Sequence, residues 1–242
     1  MGVKIKNVIP VTSDVMTPEM VAYICKYLDA DTVVDSEKLT VGPPSVENEY
    51  DEALAAPGVV ELCIKAQQEG YDAVFVNCFS EPGVKAAREC VDIPVFGGFE
   101  PAAHLALGLA DKISIVTVVP NVVPLMEGNL AKAHLEGRFV SIRNVNIPVK
   151  DLEDHEKVCQ AVLAESLQAI RRDSAQAIVL GCTGFVEVAE TVQAGLAAQL
   201  GCRIPVLEAG QSAVMLCQLC AKMGLRQSRL TYMPPPERGE SR

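Results

Sequence analysis

Two cysteines sit in the same kind of context. Cys78 closes the apolar run AVFVNC (Ala73–Cys78) and is followed by FSEPG; Cys182 closes AIVLGC (Ala177–Cys182) and is followed by TGF. Each run has the uninterrupted, β-branched character of a buried parallel strand, and the residues after each thiol read as the entry to a helix. Backbone N–H groups at a helix N-terminus lack intrahelical partners and carry partial positive charge. Such a position lowers a thiol pKa from about 8.5 and makes the thiolate a usable base. The N–H groups of Phe79, Ser80, Thr183 and Gly184 are the natural donors to a carboxylate or imide oxygen as an enolate forms. A thiolate on one face of a carbon and a thiol on the other can remove a proton and return one from behind. That inverts a stereocentre without a cofactor.

The elements that must hold these thiols follow from hydropathy patterning. Strands are expected at Lys4–Ile9, Thr32–Ser36, Ala73–Cys78, Pro94–Gly97, Lys112–Val118, Arg138–Val145, Ala177–Cys182 and Pro205–Glu208. Helices fill the gaps. Thr17-Pro18-Glu19 reads as a cap followed by proline in the first turn, and Asp151–Arg172, Gly184–Leu200 and Gly210–Met223 are further helices. The tail from Arg226, with PPPER, is expected to be loosely held. The chain also repeats itself in order: VKIKNVIP resembles DKISIVTV, DAVFVNC resembles QAIVLGC, and VDIPVFGGFEPAAHLA resembles CRIPVLEAGQSAVMLC. An α/β fold follows, with two lobes related by a pseudo-two-fold axis, each a parallel sheet flanked by helices. Ligands of such sheets bind at the carboxyl ends of the strands, so Cys78 and Cys182 should face a shared cleft.

Composition supports this plan. The 242 residues are 49% hydrophobic with no tryptophan, which suits an aliphatic core between sheet and helices. The formal charge of −10 excludes nucleic acid as a partner, since phosphate binding needs a basic footprint. The most apolar late run, Ile113–Met126, is broken by Pro120, Asn121 and Pro124, so no membrane span is expected. Nine cysteines scattered through strand-like and helix-like segments read as reduced thiols, and a cytoplasmic protein is expected.

At this level of detail the chain resembles the aspartate/glutamate/hydantoin racemase superfamily, most closely its hydantoin and allantoin racemase branch. The resemblance spans roughly residues 3–224. It rests on VIPVTS after the first strand, GPPSVENEYDEALAAPG (Gly42–Gly58), NCFSEPG (Asn77–Gly83), IPVFGG, the strand end at Thr117, and LGCTGF (Leu180–Phe185). It implies cofactor-independent racemisation at an acidic C–H beside a carbonyl, with Cys78 and Cys182 as acid and base and no metal. Residues implied to meet the substrate are Pro10, Val11, Thr12, Ser45 and Thr117, beside Phe79, Ser80, Thr183 and Gly184; Ser45 reads equally as a turn residue. The resemblance further implies a first lobe of residues 1–97 plus 208–242, taking back the C-terminal helix, and a second of residues 98–207. A homo-oligomer is expected. Branch members carry Asn-Pro-Asn-Thr where this chain has Ile9-Pro10-Val11-Thr12, Val118 replaces a second threonine, and Glu81 stands where aspartate is commoner. The rim facing the substrate is therefore more apolar.

Other reactive types read as structural. Cys25, Cys63, Cys90 and Cys159 lie in helix-like windows, and Cys217-Gln-Leu-Cys220 lacks the second ligand pair that zinc would need. His104, His134 and His155 fall on helices away from the strand tips, which weakens a Cys-His hydrolase reading. Gly97-Gly98 lacks the remainder of a dinucleotide fingerprint. Glu100 and Glu208, beside the strand ends, read as carboxylates complementing helix N-termini. Alternatives to a hydantoin-type racemase are an aspartate- or glutamate-type racemase, a catalytically silent binding protein, and decarboxylation or isomerisation on the same scaffold.

Overall fold

In a computed structural model the described residues are 2–236. The first sheet is built from β1 (Lys4–Ile9), β2 (Val33–Lys38), β3 (Ala73–Val76) and β4 (Val95–Phe96), in the order β2-β1-β3-β4 with every pairing parallel. The second repeats that order as β6-β5-β7-β8, from β5 (Ile113–Thr117), β6 (Phe139–Asn144), β7 (Ala177–Leu180) and β8 (Val206–Glu208). The central strands are buried on both faces, and alternation along β3 shows how. Val74 and Val76 pack with Val59 and Cys63 of α2 (Glu49–Gln68) and Ala87 of α3 (Val84–Cys90). Ala73 and Phe75 face the other way, toward Ile24 of α1 (Pro18–Ile24) and Val214 and Cys217 of α8 (Ala209–Met223).

The helices following β4 and β8 are exchanged. α4 (Phe99–Leu107) packs on β7 and β8 of the second sheet, while α8 packs on β3, β4 and β1 of the first. The remaining helices, α5 (Val123–Lys132), α6 (His155–Asp173) and α7 (Val188–Leu200), complete the second core. Local chemistry sets the helix starts. The Thr17 hydroxyl accepts from Met20 N to cap α1, with Pro18 in the first turn. Asn48 caps α2 through Asp51 N at 3.0 Å, and Asp154 caps α6.

Three sequence expectations change here. The 149–151 stretch forms a separate 3-10 turn, so α6 begins at His155 rather than Asp151. His134 lies beyond α5 in the left-handed region (φ 56), not in a helix. The tail after Arg226 is anchored as far as Tyr232: Arg229 donates to Asp92 and to the carbonyls of Arg88 and Glu89 at the end of α3. Those terminal carbonyls have no partner inside the helix, and the guanidinium supplies one. The remainder of PPPER, with residues 237–242, lies outside the described residues.

Candidate active site

β3 ends at Val76 and β7 at Leu180, so each thiol stands two residues beyond the same strand of its half. Neither stands at a helix N-terminus as expected. α3 begins only at Val84 after the left-handed Gly83, and α7 at Val188 after the left-handed Glu187. The intervening turns themselves turn N–H groups toward sulfur. Gly184 N donates to Cys182 Sγ at 3.3 Å, with Phe185 N also favouring its thiolate. Cys78 is approached by the N–H groups of Ser80 and Glu81 and by the Ser80 hydroxyl, 3.2 Å from its sulfur.

The turns are held from both halves. Gly98 N donates to the Cys78 carbonyl at 2.9 Å, and Asn129 of α5 donates to the Ser80 carbonyl at 3.0 Å. The Thr183 hydroxyl crosses to the Asn77 carbonyl at 3.2 Å. Glu81, itself at φ 66, turns its carboxylate onto the start of α4, where Oε1 accepts from Glu100 N at 2.9 Å. Gly97 makes room for it, because a Cβ there would stand 2.4 Å from Glu81 Cγ. Gly181 is needed for a similar reason: a Cβ would meet Ile115 at 2.6 Å and Thr117 at 3.0 Å.

Burial dominates the electrostatics and reverses the expected direction of both thiols. It pushes Cys78 above the ordinary thiol value, against the opposing Ser80 hydroxyl and N–H groups, with the nearby Glu52 charge adding to the rise. Cys182 is pushed up to about 12 by burial, helped by the charges of Cys78 and Glu47 and opposed by Gly184 N–H. Glu81 is pushed up to about 8 by burial and then by Glu100. Glu208 is pushed up to about 7 by burial, although N–H groups of α7 favour its charge.

Both thiols line one cavity of about 200 Å³. Pro10, Val11, Ser45, Phe79, Ser80, Thr183 and Gly184 line it as well. Thr12 and Thr117 do not. The Thr12 hydroxyl donates to the Pro43 carbonyl, tying the turn after β1 to the GPPS segment. Thr117 is fully buried and donates to the Gly181 carbonyl at 2.9 Å, immediately before Cys182. Both act on the frame of the site rather than on its contents.

Sequence reasoning did not single out Met16, Met20, Met126, Val122 and Leu152, which make much of the apolar wall, nor Asn77 and Lys150. Asn77 is 5% exposed, and both polar atoms of its amide lack a partner among the described residues. Glu47 was also missed; its carboxylate accepts from Val149 N at 2.8 Å and so joins the two halves beside the cavity. The signal available was that GPPSVENEYDEAL carries several carboxylates on a segment already marked as relevant.

Outside the cavity, Glu208 accepts from Ala189 N at 3.0 Å and complements the start of α7, as expected. Glu100 lies in the first turn of α4, where a carboxylate complements the helix N-terminus as expected, and it also pairs with buried Arg88 at 2.6 Å, while Glu81 accepts from its backbone N–H. Among the described residues, no group of three His, Cys, Asp or Glu side chains is arranged to hold a metal ion, and no helix is long and apolar enough to cross a membrane.

A family model described as Asp/Glu/hydantoin racemase matches residues 5–217. Among curated relatives, a hydantoin racemase from Pseudomonas sp. (strain NS671) is 33% identical over 238 residues, covering 98% of this chain and 93% of that one. Among solved structures, an allantoin racemase from Klebsiella pneumoniae superposes with a TM-score of 0.90 at 30% identity, covering 99% of this chain and 96% of that one. An allantoin racemase from Pseudomonas fluorescens superposes at 0.89 and 28% identity, covering 98% of each.

Proposed function

The chain belongs to the Asp/Glu/hydantoin racemase family and is a racemase, and from that premise we propose that it inverts 5-substituted hydantoins or related cyclic ureides with two cysteines and no cofactor. The observation that carries this reading is that Cys78 and Cys182, at matched positions of a repeated fold, line one cavity. The thiolate of one cysteine takes the proton from the carbon beside the ring carbonyl. The thiol of the other delivers a proton to the opposite face. Backbone N–H groups of the two turns stabilise charge on the carbonyl oxygen as the enolate forms. The burial that raises both thiols also makes each thiolate a stronger base, which suits a weakly acidic carbon. Ile9, Val11, Val15, Met16, Met20 and Met126 give the cavity an apolar wall. The charged lining residues Asp14, Lys150 and Glu153 are exposed, so the apolar wall nearer the thiols favours an uncharged ring with an apolar substituent over a free amino acid. A cytoplasmic location and a homo-oligomeric state belong to the same reading, and nine free cysteines fit a reducing compartment.

The test is hydrogen exchange at C5 of single hydantoin enantiomers in heavy water, with circular dichroism following racemisation and aspartate and glutamate run in parallel. Wild type is expected to exchange and racemise the hydantoin with nothing added. Cys78→Ser and Cys182→Ser should each lose racemisation while exchanging opposite enantiomers. If both variants exchange both enantiomers at the wild-type rate, the two-thiol mechanism is wrong. Exchange of the amino acids alone would move the substrate to the acidic amino-acid class.

A further inference from the structure

Inversion by two thiols needs a fixed gap between them, because each must meet the same carbon from its own side. Cys78 and Cys182 hang from different sheets, so the gap is set by whatever joins the halves beside them. Gly98 stands at that junction. Its N–H donates to the Cys78 carbonyl at 2.9 Å. Its missing side chain faces the other thiol turn: a Cβ there would lie 3.1 Å from Thr183 Cγ2, next to Cys182, and 3.2 Å from both the Cys78 carbonyl oxygen and Ala209 Cβ. The backbone at Gly98 (φ −87, ψ −29) suits any residue, so glycine is required by space alone. The repeat aligns VFGG (Val95–Gly98) with VLEA (Val206–Ala209), which matches Gly98 to Ala209. Matched residues that touch must lie beside the pseudo-two-fold axis, so the starts of α4 and α8 meet there, between the thiol turns. That meeting has room for one Cβ, and buried Ala209 supplies it.

The start of α4 is fastened on both sides. Toward the Cys78 turn, Phe79 packs edge-on against Phe99 with centroids 5.7 Å apart, and Glu100 N donates to Glu81 at 2.9 Å. The Glu100 carboxylate pairs with buried Arg88, which also donates to the Val95 carbonyl at 2.8 Å and the Tyr232 hydroxyl at 3.0 Å. Toward the other half, α4 packs on β7 and β8, and β7 leads to Cys182.

We propose that the start of α4 is the spacer that sets the separation of the two thiols, with Gly98 at its closest approach and the Glu100–Arg88 pair as its anchor. Gly98 and Glu100 do not line the cavity. They are positioning residues, acting through the turns that carry Cys78 and Cys182. The inference rests on the two-thiol racemase reading above. A methyl at Gly98 is then a wedge between the thiol turns. Two of its three contacts are the backbone of one turn and the first residue of α8, and the third, Thr183, is tied by its hydroxyl to the Asn77 carbonyl. The turns themselves must therefore give by a few tenths of an ångström. At about a hundredfold in rate per ångström of misplacement, that costs about threefold to tenfold.

The test compares inversion with deuterium entry at C5 of single hydantoin enantiomers in heavy water. Proton removal needs one thiol, whereas inversion needs both at the right separation. Gly98→Ala is expected to lower inversion per exchange event by about threefold to tenfold. General damage to the fold would lower both rates in proportion and leave that ratio unchanged. Thr183→Ser in the same chain keeps the hydroxyl, removes the methyl nearest the wedge, and should recover most of the ratio. Glu100→Gln fills no space and loosens the anchor; it should lower the ratio too, and it carries the test if Gly98→Ala does not fold. A readout independent of turnover comes from bis-methanethiosulfonate reagents whose spacers grow by one methylene, with Cys78–Cys182 bridges identified by peptide mass spectrometry. In Gly98→Ala the bridged products should move toward longer spacers, and Thr183→Ser should move them back. A fallen ratio with lengthened bridges, both reversed by Thr183→Ser, supports the spacer. An active wild type whose variants keep its ratio, lose both rates in proportion, or leave the bridges unmoved overturns the spacer and leaves the racemase reading standing. A wild type that exchanges no hydantoin and no acidic amino acid, yet whose bridges lengthen in Gly98→Ala, overturns the racemase reading while the spacer stands.

Discussion

Gly97→Ala tests whether two motifs that look independent in sequence share one physical reason. The Cβ of alanine would stand 2.4 Å from Glu81 Cγ, 2.8 Å from its Cβ and 2.8 Å from Oε1, so the Glu81 side chain must leave its place. Its departure removes the acceptor at the start of α4, about 1 kcal/mol. Crowding of the remaining atoms adds about 1–3 kcal/mol. The backbone at Gly97 is not in the left-handed region, so alanine returns about 0.4–1 kcal/mol by restricting the unfolded chain. The net loss is about 1–3.5 kcal/mol. Glu81→Ala by itself removes the cap and also a costly buried carboxyl, so its effect should be under about 1 kcal/mol. With Glu81 shortened to alanine the contacts to Cγ and Oε1 are gone and only the approach to its Cβ, 2.8 Å, remains. The double variant should then be more stable than the sum of the single effects by about 1–2 kcal/mol. Urea unfolding followed by circular dichroism, with equal m-values across the four proteins, measures this cycle. Additivity within about 0.3–0.5 kcal/mol would show that Gly97 is not there to house Glu81.

Further outcomes follow from the same geometry. Tyr232→Phe removes the hydroxyl that accepts from buried Arg88 at 3.0 Å, and stability should fall by about 1.5–3 kcal/mol in urea; an unchanged midpoint would mean that the tail is not anchored. Glu47→Gln removes a charge that raises Cys182 and weakens the bond to Val149 N, so Cys182 should alkylate at lower pH and substrate KM should rise; identical profiles would remove Glu47 from the site. Glu81 and Glu208 both have folded pKa values raised above the unfolded carboxylate, so their stabilising share is full below about pH 4.5 and is lost as pH rises through about 7 for Glu208 and about 8 for Glu81. Wild type should therefore lose more stability between pH 5 and pH 8.5 than Glu81→Gln does, and equal losses in the two proteins would contradict the buried, protonated carboxyl.

The strands and their pairing were legible because AVFV and AIVL can only be buried on both faces, and because the repeat forces one strand order on both halves. That each thiol falls at the carboxyl end of its central strand was legible for the same reason, although β3 and β7 stop two residues short of the cysteines that were expected to close them. The helix entries were not. FSEPG and TGFVE carry left-handed residues, Gly83 and Glu187, that add a turn between sulfur and helix. With that turn the expected help of the helix dipole gives way to local N–H groups, and burial then wins over them. Hydroxyl direction was equally hidden. Thr12 and Thr117 lie one or two residues from the cavity wall, yet their side chains bind Pro43 and Gly181 carbonyls instead. Of the three wall methionines, Met16 just precedes α1, Met20 lies in its first turn and Met126 lies in α5, so no single periodicity could collect all three. The tail looked loose because PPPER forms no element, whereas its anchor is Arg229, several residues earlier.

The two halves also show what duplication does not copy. In the repeat, Gly97 corresponds to Glu208, and the turn that carries Cys78 corresponds to the turn that carries Cys182. Each half needs an acceptor for helix N–H groups buried beside its thiol turn, since orphan donors there are costly. In the first half the carboxylate comes from the thiol turn itself, Glu81, and reaches the helix after β4. In the second it comes from the end of β8, Glu208, and reaches the helix after the thiol turn. The same two places are bridged in opposite senses, and Gly97 is the residue that one choice requires and the other replaces. A shared physical demand answered by different residues explains why the cysteines read so clearly from the repeat. It also explains why their supporting groups did not: the thiol positions follow from topology, while the groups around them follow from packing that each half settled separately.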